Sequence, residues 1–208
     1  MRALSVDELL RLEDAFPDRY RAIIPTAGWL GHRFSEIAGT KVSHARFLER
    51  KLDVREVVVE VGGRLYVGPP KTDASRRTVT MPAFLADVLA EHVTRYPDAS
   101  GQGYLFTSPE GGPLRRSNFT HRVFIPAVHK AGFDDLRFHD LRHTAASLAI
   151  AAGAHPKQIQ ARLGHASITT TLNRYGHILP TLDERLADEL DAVARNAIDD
   201  ARKVVAIR

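Results

Sequence analysis

His139-Asp140-Leu141-Arg142-His143-Thr144 is the densest run of chemistry-bearing side chains in the chain. It opens an apolar-periodic stretch that predicts a helix over 139–152. Residues three or four apart share a helix face, so His139 and Arg142 can address one ligand together. Asp140 falls in the first turn, where a carboxylate suits the helix dipole and caps free amides. Two chemistries fit the run. His139 and His143 at i, i+4 match paired-His metal helices, while His139 and Arg142 match a pair aimed at a phosphate. The metal pattern normally carries a Glu beside the first His, and Asp140 is not a close substitute.

Downstream come Leu163-Gly164-His165 and then Tyr175, inside Thr169-Thr170-Thr171-Leu172-Asn173-Arg174-Tyr175-Gly176-His177. A lone tyrosine is ordinarily a core or surface residue, and Tyr20, Tyr66, Tyr96 and Tyr104 supply others. Upstream, Gly31-His32-Arg33-Phe34-Ser35-Glu36 sets an Arg and a Glu three apart where a helix is expected. Alone, that pair reads as a surface ion pair. Pro70-Lys71-Thr72 alone reads as a solvated turn lysine.

The rest of the chain supplies the frame. Ser5 with Glu8 is a capping box opening a helix through about Ala15, which Pro17 ends. A second helix from about Asp18 carries Tyr20, Ile23 and Ile24 towards Gly28 and Gly31. Arg55–Val61 and Arg64–Val67 are β-rich runs around Gly62-Gly63, a hairpin signal, and Arg76–Met81 predicts a third strand. Helices are expected over roughly 82–95, 117–131, 139–152, 156–163, 167–175 and 181–205. The fold expected is mainly α with one small antiparallel β-sheet, an α+β domain.

At 208 residues, with 44% hydrophobic and 26% charged side chains, the chain is ordinary globular protein of about one domain. The absence of cysteine excludes a disulfide scaffold, a thiol nucleophile and cysteine-ligated zinc. Without a long apolar run or a signal-peptide pattern, the sequence reads as soluble, intracellular and without a membrane partner. Charge is uneven. Residues 1–110 hold 15 basic and 15 acidic side chains, whereas residues 111–180 hold 9 basic, 3 acidic and seven of the ten histidines. A basic segment on a neutral body suits either a polyanion partner or a solvated basic face.

Taken in order, Arg33, Lys71, His139-x-x-Arg142, His165 and Tyr175 resemble the active site of the tyrosine recombinases, the phage-integrase family. The resemblance covers nearly all of residues 5–180. It implies the catalytic-domain fold of the DNA breaking-rejoining enzymes and a bacterial or phage-encoded, cytoplasmic integrase that moves a phage or mobile element. Tyr175 would attack a DNA phosphodiester to form a covalent 3′-phosphotyrosine. No metal, ATP or other cofactor is implied.

By the same resemblance, Arg33 and Arg142 meet the charge on the phosphorane, and Lys71, on a mobile hairpin in the minor groove, is general acid for the leaving 5′-oxygen. His139 assists proton transfer or donates to the phosphate, and His165 donates to a non-bridging oxygen. Glu36 and His143 are supports, orienting the arginines and packing the helix start. Arg115, Arg116, Asn118, His121, Arg122 and Arg174 are candidate DNA contacts. The partners implied are double-stranded DNA at a specific site, further copies in a homotetramer when full length, and an accessory directionality factor.

One local departure is His32, which stands where the family commonly has an apolar residue. A larger one is that the catalytic-domain pattern starts near Met1, so residues 1–180 read as the catalytic domain with the family's N-terminal core-binding domain missing. Residues 181–208 read as an amphipathic helical tail, with Leu182, Leu186, Leu190, Val193 and Ile198 on one face. Such a tail is expected to pack on its own domain, with a neighbouring protomer as the alternative. Other readings are a weak, monomeric DNA-binding module, a type IB topoisomerase, and a metal hydrolase on His139, His143 and His165.

Overall fold

The computed structural model describes residues 2–176 and 182–206. Helix α1 (Val6–Ala15) begins where Ser5 accepts from the Glu8 amide at 3.1 Å and the Glu8 carboxylate accepts from the Ser5 amide at 2.9 Å. The reciprocal pair satisfies two free donors of the first turn. Leu9, Leu12 and Ala15 face inward. The expected second helix is two: α2 (Asp18–Arg21) and α3 (Ile23–Leu30), breaking at Ala22. Pro25 lies in the first turn of α3, where the missing N–H costs no ladder bond. Nearly all of α3 is buried, and it packs against α8 (Phe138–Ala151).

The single sheet expected from the sequence is two. Strands β3 (Val57–Val61) and β4 (Arg64–Gly68) form the hairpin around Gly62-Gly63. The third strand, β5 (Arg77–Thr80), does not join it. It pairs antiparallel with β2 (Lys51–Val54), which in turn pairs with β1 (Ala45–Arg46). Strand β2 escapes the β pattern because Lys51-Leu52-Asp53-Val54 carries a carboxylate at its centre. Asp53 is nevertheless buried, because Thr78, Arg55 and Arg46 all donate to it.

Helix α5 (Ala83–Arg95) buries Leu85 and Leu89 in the main core. The rod expected over 117–131 is α6 (Arg116–Phe119), a π-helical stretch at Thr120–Phe124, and α7 (Ile125–Lys130). The wide turn ends just before Pro126, which cannot donate into the ladder. Phe16, Phe34, Phe119, Phe124 and Phe138 pack as tilted and edge-on rings in one core with Leu12, Ile23, Ile37 and Leu141. A second apolar cluster joins α8 to α9 (Pro156–Leu163) and α10 (Ile168–Tyr175). Its members are Ala146, Ile150, Ile159, Leu163 and Tyr175.

Helix α11 (Leu182–Ala206) follows. The expectation that its apolar face packs on its own domain is overturned. Leu186, Leu190, Val193 and Ile198 are 51–67% exposed. Helical periodicity marks an apolar face, but it does not say what covers that face. The junction of 1–180 with 181–208, and His177, lie outside the described residues.

Candidate active site

Four elements bring the candidate residues together. Arg33 precedes α4 (Phe34–Ala38), and Glu36 turns back to accept from the Arg33 amide at 3.0 Å and its Nη1 at 2.7 Å. Glu36 also takes both terminal nitrogens of Arg77, at 3.1 and 2.9 Å. Burial would push the Glu36 carboxyl up, but the hydrogen bonds and charge of Arg77, with help from His32 and the Arg33 amide, hold it down to about 2. Glu36 therefore steadies Arg33 and Arg77. It makes no bond to Arg142, which corrects its expected role for that arginine.

Arg142, on the first turns of α8, is 2% exposed and is held by backbone. Its Nη1 donates to the Gly31 carbonyl at 2.6 Å and its Nη2 to the Leu163 carbonyl at 2.5 Å. Gly31 ends α3 with φ of +74°, and a Cβ there would lie 2.4 Å from Leu163 Cδ2. Glycine alone lets the α3 carbonyl, Arg142 and Leu163 approach so closely. Burial, then the charge of Arg33, pulls the Arg142 pKa down to about 9, so the guanidinium stays cationic near neutrality. No carboxylate bonds it among the described residues. Three guanidiniums, of Arg33, Arg77 and Arg142, thus lie near one carboxylate, Glu36, which bonds only the first two. Such a site favours an anion.

His165 follows Gly164 at the end of α9, with its Nδ1 and Thr171 Oγ1 2.9 Å apart. Burial, with Arg142 and Arg33 nearby, lowers it to about 4, so its ring is neutral near pH 7. His139 is exposed at the mouth of the cluster, its ring edge-on to His143 at 5.1 Å. Desolvation and the charges of Arg142, Arg174 and Arg33 lower its pKa too. Tyr175 closes α10 and is 3% exposed, which raises its phenol pKa against the pull of Arg142 and Arg174. Its hydroxyl lies 2.9 Å from His143 Nδ1. His143 was expected to pack the helix start; the amide capping there is done by Asp140, which accepts from the Arg137 amide at 2.9 Å.

Other candidates lie apart. Lys71 is exposed beyond β4, without a bond to the cluster among the described residues. It is not at the Gly62-Gly63 tip of the hairpin. A Cβ on Gly164 would lie 2.9 Å from the Ala74 carbonyl, three residues on from Lys71. Arg115 donates to the Gly63 carbonyl at 2.8 Å and pairs with Glu60, so it ties down the hairpin. Asn118, His121 and Arg122 are exposed, and Arg174 is half-buried near Tyr175. Arg116 lines a groove of about 860 Å³ that runs from Arg33 and His139 past Val58 and Phe124. Among the described residues no three His, Asp or Glu side chains converge as metal ligands.

Sequence reasoning missed Arg77 and Arg162, and noted His32 only as standing where an apolar residue is common. Arg77 Nε donates to the Arg162 carbonyl at 2.7 Å, and Arg162 reaches the Trp29 and Thr80 carbonyls at 3.0 and 3.1 Å. Together they lock β5, α3 and α9 around the site. The available signal for Arg77 was alternation, since it shares a strand face with the buried Val79. His32 is buried with both ring nitrogens unpartnered, and burial with the neighbouring Arg77 lowers it to about 3.

The comparisons agree with this architecture. The phage integrase family model matches residues 2–181. A prophage phiRv2 integrase of Mycobacterium tuberculosis is 33% identical over 198 residues, covering 94% of this chain and 52% of that protein. The chain spans about half the length of the curated relatives it matches first. The Tn1549 transposon integrase, solved in complex with circular intermediate DNA, superposes with a TM-score of 0.74 at 23% identity, covering 84% of this chain and 62% of that one. The catalytic domain of bacteriophage HP1 integrase superposes at 0.58 and 21% identity, covering 90% and 94%. These two structures show the fold, and the model match shows the family. With a helical body, two small antiparallel sheets and the motifs at 33–36, 139–144, 163–165 and 175 in one place, the chain belongs to the phage integrase family.

Proposed function

We propose that this chain is the catalytic part of a site-specific DNA recombinase that cleaves and rejoins strands through a 3′-phosphotyrosine on Tyr175, for integration or excision of a phage or mobile element. The observation that carries the reading is Arg142, a buried guanidinium bonded, among the described residues, only to carbonyls, beside a buried tyrosine hydroxyl. A cation so placed lacks an anion, and a DNA phosphate brings one.

In this reading Arg142 and Arg33 hold the non-bridging oxygens as charge develops, and His165 donates to them. His139 at the mouth assists the proton traffic. Lys71 protonates the leaving 5′-oxygen once its segment closes on the minor groove. Glu36 and Arg77 position Arg33. The bond energy is kept in the phosphotyrosine ester, so a new 5′-hydroxyl reverses the step without ATP. Arg115, Arg116, Asn118, His121, Arg122 and Arg174 contact DNA along the groove side of the site. Residues 1–180 act as the catalytic unit. The tail 181–208 docks on a neighbouring protomer in a tetramer assembled on DNA in the cytoplasm, with a directionality factor choosing the outcome.

A covalent-trapping assay tests the proposal. Nicked duplexes of random sequence lose a short strand on cleavage, so the adduct accumulates. A denaturation-resistant band in EDTA, absent from Tyr175→Phe, is the expected result. A band that persists in the variant overturns the assignment of the nucleophile.

A further inference from the structure

We infer that Thr171 is a positioning residue: its hydroxyl donates to His165 Nδ1 and so fixes the ring in the tautomer that presents Nε2–H to the scissile phosphate. The inference rests on the proposed function and deepens the part given there to His165. Thr171 Oγ1 and His165 Nδ1 are 2.9 Å apart, and the two residues are 1% and 7% exposed. Of the three consecutive threonines in α10 only Thr171 is buried, while Thr169 and Thr170 face solvent.

The direction of the bond follows from where the protons can go. A threonine hydroxyl carries one proton, and in the interior that proton needs an acceptor. Thr26, Thr40, Thr94 and Thr144 each give theirs to the carbonyl four residues back. Thr171 makes no such bond, and His165 Nδ1 is the sole partner of its hydroxyl among the described residues. A proton on Nδ1 would donate to Oγ1 and leave the hydroxyl proton buried without an acceptor, which is costly. Thr171 therefore donates and Nδ1 accepts. Burial and the charges of Arg142 and Arg33 keep the ring neutral near pH 7, so its one proton sits on Nε2.

The backbone on either side steadies the ring. Gly164 ends α9 in the left-handed region, with φ of +66°. The His165 amide donates to the Gln160 carbonyl at 3.1 Å, and Gln160 Nε2 donates to the His165 carbonyl at 3.1 Å. With Nδ1 taken, Nε2 bonds nothing among the described residues. The ring lies in the field of Arg142 and Arg33, the guanidiniums that hold the phosphate in the proposed function. The other tautomer would turn a lone pair towards a phosphate oxygen, replacing a donor by a repulsion. Thr171 thus acts on the reaction only through His165.

Nitrogen-15 spectra of the histidine-labelled, DNA-free chain, with His165→Ala to assign the resonances, read the tautomer without recourse to activity. Near pH 7 an unprotonated Nδ1 and a protonated Nε2 on His165 are expected, with the Nδ1 shift moving in Thr171→Val. A protonated Nδ1 overturns the inference. Single-turnover adduct formation on the nicked duplex then measures Thr171→Val and Thr171→Ser, the valine also in the His165→Ala background. Valine keeps the shape and removes the hydroxyl, so it is expected to slow cleavage about 10-fold or more, while serine stays within about threefold of the parent. In His165→Ala the valine is expected to add less than about twofold, because the ring through which the hydroxyl acts is gone. Equal slowing in both backgrounds, or none in the parent, overturns the inference. If Tyr175→Phe still forms adduct, the proposed function fails instead, and the spectra still decide the direction of the bond.

Discussion

Arg142 is a cation that the fold secures by two carbonyls rather than by an acid. The arrangement fixes the plane of the guanidinium and leaves its charge for a ligand. Arg142→Lys keeps the charge but loses the planar fork, so it cannot bridge Gly31 and Leu163 while facing a phosphate. Cleavage is expected to fall about 100-fold or more, measured by single-turnover adduct formation; an unchanged rate contradicts the role. His32 gives a residue-scale test of a different kind. Its ring is buried without a partner among guanidiniums, so His32→Leu removes a desolvation penalty and is expected to stabilise the chain by about 1 kcal/mol in urea titration. Its folded pKa, about 3, lies below the unfolded value of 6.5, so protons bind the unfolded chain preferentially and stability drops as pH falls below about 6.5. Glu36 adds its loss lower, between about 4.5 and 2. His32→Leu therefore flattens the upper part of that decline but not the lower. His143 and His165 act in the same direction and keep some slope.

At the scale of elements, the site depends on three ends meeting: the close of α3, the first turns of α8 and the close of α9. Gly31 makes the meeting possible, and Gly31→Ala is expected to destabilise by more than about 1 kcal/mol while depressing adduct formation, because the new Cβ enters Leu163 at a positive φ. Arg77→Met leaves the Glu36 carboxylate buried beside one partner instead of two, and is expected to cost about 3 kcal/mol by denaturant titration. How much of this was readable depends on where the information lies. The motif helix was readable because His139, Arg142 and His143 sit within two turns, and α1 because Ser5 and Glu8 are neighbours. The β2–β5 pairing was not, since it joins segments 25 residues apart at Asp53 and Thr78 and hides behind a buried carboxylate. The ligands of Arg142 are backbone carbonyls, which no side-chain pattern displays. The bond between His143 and Tyr175 spans 32 positions and forms only after α8 and α10 have packed.

Over the whole molecule, the basic, His-rich stretch at 111–180 and the acidic α11 are distinct in charge and in packing. DNA affinity is expected to fall steeply with salt, as counterion release requires, with Arg116 and Arg122 each contributing about one unit to the slope; equal slopes for both alanine variants and the parent contradict that placement. The exposed apolar face of α11 predicts association. Removing residues 181–208 is expected to abolish concentration-dependent self-association in sedimentation while leaving the unfolding midpoint nearly unchanged. The central claim is that Tyr175 becomes bonded to a DNA 3′ end. The most direct measurement is mass spectrometry of the protease-digested adduct formed on a 5′-labelled nicked duplex. The account predicts a single nucleotide-bearing peptide, modified at Tyr175, with the 5′ end of the break free. Modification at any other residue, or a tyrosine joined to the 5′ side, contradicts it.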